Sequence, residues 1–224
     1  MYDFAIGLCS YGGIKDVFFD SMMMLSGELS YKVYHRKRDA LIGRSRSVVA
    51  TQFLNEYEDG CLVFLDTDII FKTQYISSLV ENCQEYKIIA GAYMMSNLKP
   101  AMRSWTENLE PDGNIHEVEY ASTGFMAIDW EVFREVRDKL KLPLLHEGTS
   151  CECYPFFESG RSKVHPTFYI SEDWDFCDKA REVGYKVYWH SGIQVSHIKE
   201  LVLTIGEDEK GYTWPVTPTK FKGE

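Results

Sequence analysis

Leu62-Val-Phe-Leu-Asp-Thr-Asp68 sets four apolar residues directly before two carboxylates one residue apart. Being apolar at every position rather than at alternate ones, the run suits a strand covered on both faces, and such strands belong to parallel sheets sandwiched by helices. Ligands of those sheets gather beyond the carboxyl ends of the strands, where Asp66 and Asp68 stand. No basic residue adjoins the pair in sequence, so a hard divalent cation is one partner able to neutralise it. A helix N-cap or a turn is the alternative, since aspartate favours both.

Working outward, residues 2–10 (YDFAIGLCS) read as a strand, and Tyr11-Gly12-Gly13 turns the chain into a helix over 14–26. A strand at 31–35, a basic loop and a helix over 44–57 follow, with Val48, Val49, Phe53 and Leu54 at helical spacing. After the strand at 61–65 come a helix over 74–83 and a fourth strand at 87–90. This alternation predicts a parallel sheet covered on both faces. Beyond Gly91 the pattern loosens. Residues 119–128 read as a strand with Gly124 inside it, which commonly marks close approach of a ligand or backbone. A helix over 130–141, an irregular segment over 142–168, a helix over 171–183 and short strands at 186–189 and 193–195 complete the body. Long irregular segments are often functional loops. Residues 1–200 are expected to form one domain, with a nucleotide-binding half over about 1–90 and an acceptor-side half over 91–200. Residues 201–224, with Tyr212 and Trp214, are expected to be an extension lying across the surface.

With 224 residues, 45% of them hydrophobic, the chain has enough material for one large core. Its net charge of -10 argues against nucleic acid as a partner, because phosphate backbones call for a basic surface. Basic residues still cluster at His35, Arg36, Lys37, Arg38, Arg44 and Arg46, suited either to a small phosphorylated ligand or to a solvated loop. No apolar stretch approaches the roughly 18 residues that cross a bilayer, and the start lacks a signal-peptide pattern, so a cytoplasmic protein is expected. Six scattered cysteines form no Cys-x-x-Cys pair and read as buried, reduced thiols.

A second acidic group, Glu172, Asp173, Asp175 and Asp178, follows Ser171. Ser171 would cap a helix whose first-turn acids complement its dipole; alternatively, a carboxylate here is a general base in a cleft. Asp178, further along, reads as exposed. His197 ends a strand-like stretch, whereas the other five histidines read as ordinary packed or surface residues.

Taken together, the Asp66-Thr-Asp68 strand end, Ser171-Glu-Asp-Trp-Asp-Phe-Cys177 and His197 resemble a glycosyltransferase of the GT-A fold, of the inverting family 2 type, over residues 2–198. The resemblance implies a Rossmann-like α/β/α sandwich with a mostly parallel central sheet. It implies Mn2+ or Mg2+ held by Asp66, Asp68 and His197 on the diphosphate of a UDP- or GDP-linked sugar, and Glu172 and Asp173 supplying the base. The family's Ala-Arg-Asn resembles Gly43-Arg44-Ser45, which would put Arg44, and less directly Arg46, at the nucleotide. Ser10, Tyr11 and Asp39 would complete the nucleotide contacts, Thr123 and Gly124 would meet the sugar, and Trp174 would lie under an acceptor such as a glycan.

Two rivals remain. A phosphatase of the haloacid dehalogenase type also uses Asp-x-Asp at a strand end, with the first acid as nucleophile; here Ile69-Ile70 stands where that family has Gly-Thr. A catalytically silent module that binds a nucleotide-sugar is the other, since fold does not fix function.

Overall fold

In the buried strands of this protein, side chains alternate between two apolar layers, and this is why the sequence shows continuous apolar runs. The computed structural model describes residues 3–95, 100–104, 109–198 and the backbone of 206–208 and 211–213. The first half comprises β1 (Phe4–Ser10), α1 (Asp16–Glu28), β2 (Lys32–Lys37), α2 (Ile42–Glu56), β3 (Cys61–Asp66), β4 (Ile69–Ile70), α3 (Thr73–Tyr86) and β5 (Ile88–Ala92). Next come β6 (Met102–Arg103), β7 (Ile115–Val118), β8 (Tyr120–Ala121), β9 (Phe125–Asp129) and α4 (Trp130–Lys139). The remainder holds β10 (Gly160–Arg161), β11 (Tyr169–Ile170), α5 (Glu172–Glu182), β12 (Val187–Gln194), β13 (Ser196–His197) and a small hairpin, β14 (Gly206–Asp208) with β15 (Gly211–Thr213).

Seven strands form the central sheet in the order β2-β1-β3-β9-β5-β12-β7. Five run the same way, while β9 and β7 oppose their neighbours, so the sheet is mostly parallel, as expected. Leu62 and Phe64 of β3 join one core with Phe53 of α2, Phe133 of α4 and Phe176 of α5. Val63 and Leu65 join the other, with Phe18 and Leu25 of α1 and Ile76, Leu79 and Val80 of α3. Each such side chain contributes about 1.5–3 kcal/mol by leaving water.

Three local expectations are corrected. Gly124 lies not within a strand but in the turn between β8 and β9, where its carbonyl accepts the Asp66 amide at 2.9 Å. The stretch from 187 to 194 is one strand whose register shifts between His190 and Gln194. Asp178 is buried, accepting from the Tyr120 hydroxyl at 3.0 Å and the Ser162 hydroxyl at 3.1 Å and pairing with Arg181. Its helix face turns toward β8, so the acid is part of a polar network under the sheet. The six cysteines are free, and Cys151 alone is not fully buried. The side chains of Tyr212 and Trp214, and with them the expectation for the tail, lie outside the described residues. Among those residues no helix is long and apolar enough to cross a membrane.

At Gly91 of β5 an added Cβ would lie 2.5 Å from Ile193 Cγ2 and 2.8 Å from Phe125 Cδ1. Overpacking of a close-packed core costs about 1–3 kcal/mol. Gly91→Ala should therefore lower the unfolding free energy by that amount, read as a lower urea midpoint with an unchanged slope, and an unaltered midpoint would contradict the packing described.

Candidate active site

The C-terminal edge of the sheet gathers acids from three distant segments, and the physical problem there is how they coexist. At the end of β3, Asp66 Oδ1 accepts from Arg46 Nη2 at 3.0 Å. Arg46, on α2 and only 5% exposed, also pairs through Nη1 with Glu172 at the start of α5. Burial works against the charge of Arg46, but Asp66, Glu172 and Asp173 around it outweigh that and hold it firmly protonated. Burial also raises the pKa of Glu172, opposed by Arg46. The basic partner that local sequence does not supply to Asp66 thus comes from 20 residues upstream. A buried cation with a helix-start acid and a strand-end acid has no fixed spacing, and the resemblance, which put Arg46 at the nucleotide, did not point to this pairing.

Asp173 is also buried. Its Oδ1 accepts from the Ser171 hydroxyl and from the Trp174 amide at 2.9 Å. Ser171 occupies the N-cap position but makes no side-chain bond to a helix amide; its hydroxyl orients Asp173 instead. The side-chain cap expected of Ser171 is therefore absent, because its hydroxyl goes to the Asp173 carboxylate rather than to a helix amide. Cys9, beside Arg46 and Asp66, is pushed up to about 12 by burial, so it stays a thiol.

Asp68 is separate from that network. Its Oδ2 lies 2.9 Å from His197 Nε2, while His197 Nδ1 lies 3.1 Å from the Met94 carbonyl. The Asp68 contact is of hydrogen-bond length, and a carboxylate beside an imidazole nitrogen is also a pair of groups able to ligate a divalent cation. Strand pairing sets this geometry: β13 runs antiparallel to β4 with His197 opposite Ile69, and the Ile198 amide donates to the Asp68 carbonyl at 2.8 Å. The residue types suit a hard cation that takes further oxygens from a phosphate ligand. Among the described residues no cluster of three or more acidic, histidine or cysteine side chains is poised around one point, because Asp66 is turned to Arg46 rather than to Asp68.

Other predicted residues line the same edge. At the end of β1, Ser10 Oγ is 2.8 Å from His35 Nε2, and Tyr11 is exposed. Asp39 is buried and accepts from Arg44 at 2.7 and 2.9 Å and from the Leu41 amide at 3.1 Å, which lowers its pKa to about 2, chiefly through Arg44. At Gly124 a Cβ would stand 2.4 Å from the Tyr93 hydroxyl and 2.6 Å from Asp66 Oδ2, so a larger residue would have to displace both side-chain ends. Thr123 Oγ1, next to it, is buried without a hydrogen-bond partner among the described residues. Trp174 is stacked on Tyr120 at 4.2 Å with Arg103 5.8 Å from its ring. A cavity of about 440 Å³ opens beside Glu172, between the first turn of α2 and the irregular segment, lined by Leu41, Arg44, His146, Phe157 and Ser159.

Sequence reasoning missed Tyr93, which contacts Ser122, His197 and the space above Gly124. A lone tyrosine after a strand carries no signal of its own.

No protein-family model and no curated protein matches the sequence. Among solved structures, A197 from STIV superposes with a TM-score of 0.62 at 15% identity, covering 99% of this chain and 98% of that one. GalNAc-T7, solved with UDP, GalNAc and Mn2+, superposes with a TM-score of 0.51 at 12% identity over 89% of this chain. This chain spans 44% of the length of that structure. The seven-stranded, mostly parallel sheet flanked by helices is a GT-A type, Rossmann-like arrangement.

Two outcomes test the electrostatics. Arg46→Ala leaves buried Glu172 and partly buried Asp66 without their shared partner and should destabilise by up to about 3–5 kcal/mol in urea unfolding; a loss below about 1 kcal/mol would show that Arg46 is not their shared partner. Because Asp39 has a lower pKa folded than unfolded, its contribution is present above about pH 4 and is lost as pH falls toward about 2. Asp39→Asn should remove roughly 1–2 kcal/mol of that acid-sensitive stability, allowing for the partial exposure of Arg44, and matching profiles would contradict the pairing.

Proposed function

We propose that this chain is a glycosyltransferase that moves a sugar from a UDP- or GDP-linked donor to an acceptor hydroxyl, with inversion and with the help of Mn2+ or Mg2+. The observation that supports it most is the Asp68–His197 pair, its imidazole fixed by the Met94 carbonyl, on the same sheet edge as the buried acids of α5. The GT-A fold raises the prior for this chemistry without assigning it.

In this reading residues 1–90 hold the nucleotide and 91–200 meet the acceptor. Ser10, Tyr11, Asp39 and Arg44 face the nucleoside, and Asp66, oriented by Arg46, would face the ribose or the bound cation. Asp68 and His197 hold the cation. A divalent cation bound there supplies Lewis-acid stabilisation of the departing nucleoside diphosphate. Thr123 Oγ1 offers its unmatched hydrogen-bonding capacity to a sugar hydroxyl, and Gly124 allows the ring close to the backbone. Asp173 takes the proton of the acceptor hydroxyl on Oδ2, because Ser171 and the Trp174 amide occupy Oδ1. Glu172 acts through Arg46, and Trp174 borders the acceptor.

Incubation with a panel of nucleotide-sugars tests the class. Slow, Mn2+-dependent release of nucleoside diphosphate is expected; phosphate release from p-nitrophenyl phosphate would indicate a phosphatase, and binding without turnover a silent module. Asp173→Asn should lower turnover at least about 100-fold while Mn2+-dependent UDP or GDP binding persists, and retained turnover would remove Asp173 as the base. His197→Ala should weaken Mn2+-stimulated nucleotide binding about ten-fold or more, and an unchanged titration would remove it from the metal site.

A further inference from the structure

Tyr93, directly after β5, is buried and belongs to none of the motifs above, yet it touches three separate parts of the site. Its ring meets the His197 imidazole edge-on, with centroids 4.9 Å apart and planes at 82°. The next residue, Met94, gives its carbonyl to His197 Nδ1. Two consecutive residues therefore hold one imidazole, one by its nitrogen and the other by its ring. The Tyr93 hydroxyl lies 2.7 Å from Ser122 Oγ and reaches over Gly124, on the side where Asp66 Oδ2 also approaches. Main-chain bonds lock the same wall, with the Ala101 amide on the Tyr93 carbonyl and the Ser122 amide on the Ala101 carbonyl, both at 2.9 Å.

We propose that Tyr93 is a positioning residue with two separable tasks: its ring sets the orientation of His197, and its hydroxyl, through Ser122, sets the turn at 122–124 and so the fit of the donor's sugar. This rests on the transferase reading. The division follows from geometry. The two ring nitrogens of His197 meet the Met94 carbonyl and Asp68, and an aromatic ring packed against the imidazole limits the tilt that those two contacts leave open. The 122–124 turn carries the buried Thr123 hydroxyl and bonds the Asp66 amide through Gly124, so a shift of Ser122 acts first on the surface a sugar would meet, whereas His197 is held from other elements, by Met94 and Asp68.

Three variants separate the tasks, read by calorimetric titration of Mn2+ with UDP and with GDP, and by affinity for UDP-glucose, UDP-N-acetylgalactosamine and GDP-mannose. Tyr93→Phe keeps the ring and loses the hydroxyl. It should weaken binding of the preferred nucleotide-sugar relative to its nucleoside diphosphate by about three- to ten-fold, the range of one hydrogen bond, with less than about two-fold change in Mn2+-dependent diphosphate binding. Ser122→Ala should reproduce that pattern. Tyr93→Leu should lower the Mn2+-dependent diphosphate affinity about ten-fold or more, as loss of an outer support of a metal ligand does. If Tyr93→Leu does not fold, the first two variants still decide the hydroxyl's task and Tyr93→Met, which fills the space without an aromatic ring, decides the other by the same loss of Mn2+-dependent affinity. Wild-type binding with all variants alike overturns the inference alone. Failure of the wild-type chain to bind Mn2+ with either nucleotide overturns the transferase reading and the inference with it.

Discussion

One guanidinium holds the site's geometry: Arg46 stands between Asp66 at the end of β3 and Glu172 at the start of α5, 126 residues further along the chain. Burying Arg46 and Glu172 beside a partly buried Asp66 is costly, and such groups rarely raise stability above a well-packed apolar set. What the arrangement supplies is position. The start of α5 can approach the sheet only where its acid finds Arg46, and Gly43, one turn earlier on α2, leaves room for it: a Cβ there would lie 2.7 Å from the Phe157 carbonyl and 3.2 Å from Glu172 Cβ. Asp173, the next residue, is placed by the same contact.

The sheet was legible because its strands are buried on both faces, and burial writes itself into sequence as continuous apolar runs such as Leu62 to Leu65. The helices on either side were legible by period. What the alternation hid was β9, Phe125 to Asp129, which enters antiparallel between β3 and β5 although the chain reaches it after both. Pairing direction leaves no mark on a five-residue apolar segment, since its two faces are equally covered. The error over Gly124 has the same root, for a glycine at a strand's mouth and one inside it look alike until the partner strand is known.

The candidate site divides similarly. Asp66, Asp68, Glu172 and Asp173 could be found because acids at strand ends and helix starts recur in recognisable patterns. His197 could be singled out only through the resemblance, since its link to Asp68 spans 129 residues and depends on a two-residue pairing between β13 and β4. Thr123 signals itself structurally as a buried hydroxyl with no partner among the described residues, a property invisible in sequence.

The basic cluster from His35 to Arg46 resolves into something neither of its two readings contained. Arg36 donates to the Ser150 carbonyl at 2.8 Å and to Cys151 Sγ at 2.9 Å, fastening the irregular segment, while Arg44 is held by Asp39 and Arg46 by Asp66 and Glu172. Lys179 of α5 secures the same segment further on, through the Pro155 carbonyl at 2.7 Å and Glu158 at 2.8 Å. Arg36, Arg44 and Arg46 are thus engaged with acids and carbonyls, while Lys37 and Arg38, at the end of β2, stay exposed at the same edge. If the ligand is a nucleoside diphosphate, those two side chains and a divalent cation at Asp68 and His197 are what would meet its charge.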